Sequence, residues 1–225
     1  MDSTVIAVDG PVASGKTTVG RLLAQRLGYR FLDTGIMYRA ITWAALEAGV
    51  SPKDGRRLVA LALERKIEVA FQRDGQASVL VDGQDVAAHL RKESVEESVS
   101  LVSQVPGVRD ILVALQRHVA EEGRMVMAGR DIGTVVLPNA PLKVFLTASV
   151  ATRARRRHAE LQTSGRSVPY QEVLDDLARR DKLDSERKIA PLRPAADAHR
   201  IDTDDLNIEM TVERILELVR QQSWA

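Results

Sequence analysis

The chain has 225 residues, 44% hydrophobic and 28% charged, with a net charge of +1. That composition gives a globular chain with core for one sizeable domain plus an insertion, or two small domains, and supplies no global field for nucleic acid. Zero cysteines exclude a disulfide framework and Cys-ligated metals and fit a reducing, cytoplasmic compartment. No charged leader and no apolar run near eighteen residues occurs, so neither a signal peptide nor a membrane span is expected. The four histidines lie far apart, which argues against an imidazole-centred site.

Short β-rich runs alternate with longer helical patterns, which predicts a mostly parallel sheet with helices on both faces. In chain order the core strands are Val5–Asp9, Arg30–Asp33, Met125–Ala128, Lys143–Thr147 and His199–Asp202. The helices between them run over Gly15–Leu27, Gly35–Ala48 and Val105–Glu122, and Glu213–Arg220 closes the chain. Within the third helix, Val108, Ile111, Leu112, Leu115 and Val119 make one apolar stripe. One stretch breaks the alternation. Ile67, Val69 and Phe71 repeat at period two, followed by Val79 and Val81, with Asp74-Gly75 and Asp82-Gly83 between and after them. Asp-Gly is a strong hairpin signal, so this reads as a small antiparallel sheet inserted into the parallel fold; an extension of the main sheet's edge is the alternative.

Five constellations carry chemistry. The first, "VDGPVASGKTTVG", matches G-x-x-x-x-G-K-[ST] at Gly10, Gly15, Lys16 and Thr17, between an apolar strand and a helical pattern. Its glycines let backbone N–H groups approach phosphate oxygens, Lys16 reaches the outer phosphates, and the Thr17 hydroxyl can ligate Mg²⁺. The second, "LDTGIMYRA", puts Asp33 and Thr34 at a helix start and Arg39 early in that helix, where ligands of open α/β sheets bind. The third, "MAGRDIGTVV", sets Arg130 and Asp131 between Gly129 and Gly133 at another strand end. Arginine gives bidentate phosphate recognition and aspartate an acceptor for an amino group or a ribose hydroxyl; an Arg–Asp pair holding a turn is the plainer reading. The fourth, "TRARRRHAELQTSGRSV", places Arg153 and Arg157 on one helical face before Gly165. A phosphate-clamping flap, a solvated face and a nucleic-acid patch compete here, the last weakened by the lack of interleaved aromatics. In the fifth, "RRDKLDSERKIAPLRPAADA", Arg180, Asp184 and Arg187 alternate in sign as on a salt-bridged helix face, and Pro191 and Pro194 lead into a loop.

There is no nucleophile beside a base, and no pair of catalytic carboxylates. Phosphoryl transfer needs neither, because its transition state spreads charge over equatorial oxygens and is met by Lys, Arg and Mg²⁺. An inserted domain and an arginine-bearing flap would keep water out. The residues therefore describe a small-molecule kinase. From them alone the acceptor is not identified; a kinase for UMP or a metabolite hydroxyl and a slow ATPase module of regulatory or nucleic-acid-binding type stay open as alternatives.

"IAVDGPVASGKTT", "LDTGIMYRA", "GRDIGTVV" and "APLRPAADA", in this order across essentially the whole chain, resemble the bacterial cytidylate kinases of the nucleoside monophosphate kinase group. The resemblance implies a P-loop fold with a five-stranded parallel sheet and helices on both faces. It also implies an antiparallel β insert for the monophosphate (61–104), a core of 1–60 and 105–225, and a lid at about 153–168. It implies ATP as phosphate donor with Mg²⁺, and phosphorylation of CMP and dCMP. Carried over by position, Gly10, Pro11, Val12, Ala13, Ser14, Gly15, Lys16, Thr17 and Thr18 would hold the ATP phosphates, with Thr17 on the metal. Arg153 and Arg157 would belong to the lid near adenine and the donor phosphates. Arg39, Arg130 and Arg187 would hold the acceptor phosphate, and Ser100, Arg109 and Asp131 would read the cytosine edge. Asp184 with Arg180 would hold the ribose, and Thr34 stands where some members carry Ser. Lys16, Arg130, Arg157 and Arg187 would meet the transferring group. The expected partners are nucleotides (ATP, CMP and dCMP), with neither nucleic acid nor membrane, and a monomeric state.

Overall fold

The computed structural model describes residues 4–222. It opens with strand β1 (Val5–Asp9), buried along its whole length, and a glycine-bearing loop that feeds helix α1 (Lys16–Leu27). Strand β2 (Arg30–Asp33) leads into α2 (Gly35–Glu47), where the cap comes from Asp33, whose carboxylate accepts the Gly35 N–H at 3.0 Å. Helix α3 (Gly55–Glu64) follows, capped by Asp54. Then come β3 (Ile67–Phe71), β4 (Ala77–Val81), the two-residue β5 (Gln84–Asp85), and helices α4 (Glu93–Val102) and α5 (Pro106–Ala120). Proline at the start of α5 sits where its missing N–H costs nothing. Strand β6 (Met125–Gly129) runs into a single π-helical turn, Ile132–Val136. Strand β7 (Leu142–Thr147), α6 (Val150–Thr163), α7 (Tyr170–Glu186), β8 (His199–Asp202) and α8 (Ile208–Arg220) complete the chain.

The expected five strands form one sheet in the order β2-β6-β1-β7-β8. Parallel registers join Val8 to Val144 and Leu146 to Ile201. β1 and β6 read as near-continuous apolar runs because both faces of such a sheet are covered. The chain divides into two compact units, one formed by Ala24–Met127 with the start of β1, the other by Ile6–Leu23 with the chain from Ala128 onward.

In the first unit, β3, β4 and β5 form the antiparallel sheet expected from the period-two pattern. Both Asp-Gly pairs sit at its turns. Asp82 and Gly83 each adopt positive φ, 53° and 80°, as a tight hairpin turn requires. The edge-extension alternative survives as one bridge: Gly75 O accepts the Phe31 N–H at 2.8 Å, so the β3–β4 turn touches β2. Helices α3 and α4 escape the sequence pattern, α4 because its polar Glu93-Ser94 start and Glu96-Glu97 interrupt the apolar stripe.

In the second unit, α6 and α7 pack through Ala154, Leu161, Val173 and Leu177, with Val12 and Ala13 of the phosphate loop against them. The arginine-rich stretch is therefore an ordered helix whose end is marked by Gly165 in the left-handed region. Arg187 lies just past the end of α7 in extended conformation, so it does not continue the alternating face of Arg180 and Asp184.

Candidate functional site

The phosphate loop of the second unit is built around residues that need unusual backbone. Gly10 has φ 153°, and a Cβ there would stand 2.3 Å from the Leu146 carbonyl oxygen, so only glycine fits. Ala13 is held at φ 59°, a strained value for a residue with a side chain, of the kind that gathers at ligand loops. Lys16, Thr17 and Thr18 then open α1, whose first N–H groups lack partners within the helix and face a would-be anion. Lys16 is buried, its Nζ donating to the Pro11 carbonyl at 2.6 Å and to Ser14 Oγ at 3.4 Å. It bends back across its own loop, where a phosphate group would exchange for these neutral acceptors.

Beside the loop lies a set of arginine–carboxylate pairs. Arg130 Nε donates to Asp184 Oδ2 at 2.8 Å, and Arg187 Nη2 lies 3.3 Å from Asp131 Oδ1. Arg187 also donates to the Ala190 carbonyl, at a residue held at φ 51°. Arg180 Nε meets Asp176 Oδ2 at 2.9 Å, one turn back. So four of the expected acceptor residues, Arg130, Asp131, Asp184 and Arg187, are brought together as two ion pairs, while Arg180 takes a partner the sequence reading did not name.

Arg153 is fully engaged. Its guanidinium forms a fork to Asp181 (2.6 and 3.1 Å) and donates to the carbonyls of Ala148 (3.0 Å) and Val12 (3.2 Å). These bonds tie α6 to α7 and to the phosphate loop. Arg157, one turn on, pairs with Glu160 at 2.9 Å.

The first unit carries the remaining expected residues. Thr34 is buried at the start of α2. Arg39 Nη1 donates to the Leu90 carbonyl at 3.2 Å and lies 3.5 Å from Glu96 Oε1, a buried carboxylate on α4. Arg109 on α5 is buried, lies over the Tyr38 ring at 5.6 Å, and donates to the Ser103 carbonyl at 3.3 Å. Ser100 sits on the last turn of α4, its carbonyl accepting from Ser103 Oγ and Gln104 Nε2.

Sequence reasoning missed Asp9, Asp176, Asp181, Glu96 and the Lys143–Asp197 pair (2.7 Å). Asp176 alone carried a signal, four residues before Arg180 on one helix. Asp197, inside the "APLRPAADA" motif, has its carboxyl held below the usual carboxylate range, first by the hydrogen bond from Lys143. Asp9 is the reverse case. Burial pushes its carboxyl up to about 6, Asp131's charge adds to that, and the N–H groups of Gly133 and Ile132, with Lys16's charge, oppose it.

Among the described residues no cluster of three His, Cys, Asp or Glu side chains could hold a metal ion, and no single helix is long and apolar enough to cross a membrane.

A family model described as cytidylate kinase matches residues 6–221. The chain belongs to the cytidylate kinase family. It is similar to proteins named cytidylate kinase from Geobacillus kaustophilus (51% identical over 217 residues, 96% of each chain) and from Bacillus subtilis (46% over 218 residues, 97% of each). Its fold is similar to that of an uncharacterized protein from Eubacterium ventriosum, at 12% identity, a TM-score of 0.53, and coverage of 97% of this chain and 99% of that one. Family membership makes the loop at Gly10–Thr18 part of a phosphotransferase, with ATP as the phosphate donor.

Proposed function

We propose that this chain catalyses ATP + CMP ⇌ ADP + CDP and accepts dCMP as well, acting as a cytoplasmic monomer on free nucleotides. The observation that carries the reading is two ion pairs in the unit that bears the phosphate loop: the part-buried Arg130–Asp184 and the buried Arg187–Asp131. They supply two cations for an acceptor phosphate, and two carboxylates for the hydroxyl and amino donors of a cytidine nucleoside.

In this reading the backbone N–H groups from Gly10 to Thr18 cradle the donor phosphates, and Lys16 Nζ leaves the Pro11 carbonyl for an oxygen of the transferring group. Arg39, Arg130 and Arg187 hold the acceptor phosphate in line, and Arg157 meets the charge from the lid side. Asp184 and Arg180 hold the ribose. Asp131, with Ser100 and Arg109, reads the cytosine edge. Arg153 acts by holding α6 against Asp181 and Val12 rather than by touching a phosphate. No general base is required, since a loose phosphoryl-transfer transition state is met by positioning and by cations. Mg²⁺ fits at the partly exposed Thr17 hydroxyl. The absence of a carboxylate or histidine cluster among the described residues suits an ion held mainly by substrate phosphates. Held there, the ion would supply charge neutralisation to the substrate phosphates.

The test is ADP release from ATP with and without CMP, with the second product identified by mass. A kinase of this kind releases ADP only with CMP present and forms CDP. ADP release at the same rate without an acceptor would identify an ATPase module.

A further inference from the structure

Among the described residues of the second unit, Asp9 is the one buried carboxylate that no step above uses. It is 3% exposed, ends β1 immediately before Gly10, and spends both oxygens on backbone: Oδ1 accepts the Ile132 N–H and Oδ2 the Gly133 N–H, each at 2.8 Å. Those amides belong to the first residues of the π-helical turn that follows Arg130 and Asp131. Gly133 is boxed in as well. A Cβ there would stand 3.1 Å from Lys143 Cδ and 3.4 Å from Asp9 Oδ2. Lys143 in turn grips Asp197, in the loop that follows Arg187.

We propose that Asp9 is a positioning residue for phosphoryl transfer, which fixes the turn carrying Arg130 and Asp131 to the root of the phosphate loop. The acceptor-side groups thereby stand at a set distance from the donor phosphates. Transfer depends steeply on such distances, a misplacement of 1 Å costing on the order of 100-fold. An ionised carboxylate is suited to the task, because it offers two acceptors and no donor, and because bonds to a charged acceptor are roughly twice as strong as neutral ones. The charged groups facing it are Lys16 from α1 and Asp131 from the turn itself, with the Lys143 stem from β7 bordering the same amides. This assignment rests on the reading given above for Arg130 and Asp131.

The experiment compares wild type with Asp9→Asn, whose amide can accept one N–H but turns a donor toward the other. Backbone amide resonances of Ile132 and Gly133 are followed from pH 8 to pH 5 in nucleotide-free protein, and kcat and KM for both substrates are measured across the same range. The two wild-type amides should titrate together near pH 6, and the variant's should not. At pH 7.5 the variant should lose roughly 100-fold in kcat/KM for CMP while its KM for ATP stays within about threefold, as expected of a displaced acceptor turn beside an intact donor site. The acceptor phosphate titrates near pH 6 on its own, so the informative quantity is the wild-type-to-variant rate ratio, which should shrink as pH falls. A folded variant within threefold of wild type for CMP, or one that weakens ATP and CMP equally at every pH, would overturn the assignment. The amide titration needs no nucleotide, so it decides whether Asp9 grips this turn even if wild type fails to phosphorylate CMP, an outcome that would sink the substrate reading alone.

Discussion

Arg130 and Asp184 are held together at 2.8 Å although the proposed mechanism sends them to different parts of one nucleotide, the arginine to the phosphate and the aspartate to the ribose. Arg187 and Asp131 repeat the relationship, with side chains only 4% and 7% exposed. A ligand that took only the arginine would strand a buried carboxylate, and an uncompensated buried charge is expensive. A whole nucleoside monophosphate replaces both partners at once.

Asp184→Asn should therefore change phosphate and nucleotide binding in opposite directions. With its ion pair to Asp184 removed, Arg130 should bind inorganic phosphate several-fold more tightly, while CMP weakens by about tenfold, equivalent to about 1.4 kcal/mol. Calorimetric titration of each ligand into each protein measures this. Parallel weakening of both would show that the pair has a structural role only.

Lys16→Ala should lower kcat by at least 10³-fold, since a charge-assisted contact that strengthens in a water-excluded transition state contributes more than the roughly 1.5–3 kcal/mol of an ordinary one. Lys16 is buried against its own loop rather than displayed to solvent, so some stability is lost too. The released Pro11 carbonyl is only part-buried and can turn to water, which limits the drop in melting temperature to a few degrees. Turnover within tenfold of wild type would contradict the phosphate-loop assignment.

Arg153→Ala and Arg157→Ala should separate structure from chemistry. Arg153 is bound four ways between Asp181, Ala148 and Val12, so its loss should cost about 3 kcal/mol or more of stability. Arg157→Ala should cost clearly less stability than that and lower kcat. Thermal unfolding and steady-state rates on the two variants decide it. Equal stability losses would mean that Arg157 is also a strut.

The framework was legible in the sequence because it depends on local rules: continuous apolar runs for buried parallel strands, glycines where the backbone must turn, and Asp-Gly at the hairpins. The pairing of charges was not. Arg180 had two acids at helical spacing, Asp176 and Asp184, and a one-dimensional reading cannot tell which of them a distant Arg130 will claim. Asp9 was hidden for a related reason. It looked like the polar end of a strand, and its partners are backbone amides more than 120 residues away in sequence, which carry no residue signature. Arg153 and Arg157 shared one face by spacing, yet their partners differ in kind: Arg153 pairs with Asp181 of α7, and Arg157 with Glu160 on its own helix.

Asp9 also predicts a stability signature of opposite sign to its effect on rate. Its folded carboxyl is raised to about 6 from an ordinary 3.8, so between those values the folded state holds more protons than the unfolded one. By linkage, stability from this group is fully present below the unfolded value and is lost as pH rises through about 6. Wild type should therefore gain stability relative to Asp9→Asn as pH falls from 7 to 5, while its catalytic advantage over the variant shrinks. Denaturant unfolding of both proteins at the two pH values measures it. A pH-independent stability difference would contradict a raised carboxyl.

Asp131→Asn should narrow the preference for cytosine. A carboxylate accepts from the cytosine N4 amino group but meets an acceptor in uracil, and sites built on such bonds can reject the mismatched analogue by up to ~10⁴. The asparagine amide can rotate to donate to O4, so CMP turnover should fall while the CMP/UMP ratio of kcat/KM narrows. An unchanged ratio would leave Asp131 as no more than the partner of Arg187.

The most direct test of the account is kcat/KM of the wild-type protein for CMP, dCMP, UMP and AMP at saturating ATP and Mg²⁺. CMP should be the best acceptor, with dCMP close behind and both uracil and adenine nucleotides lower by at least ~100-fold. A protein that prefers UMP or AMP, or that releases ADP equally well with no monophosphate present, would contradict the reading of this site as a cytidine monophosphate kinase.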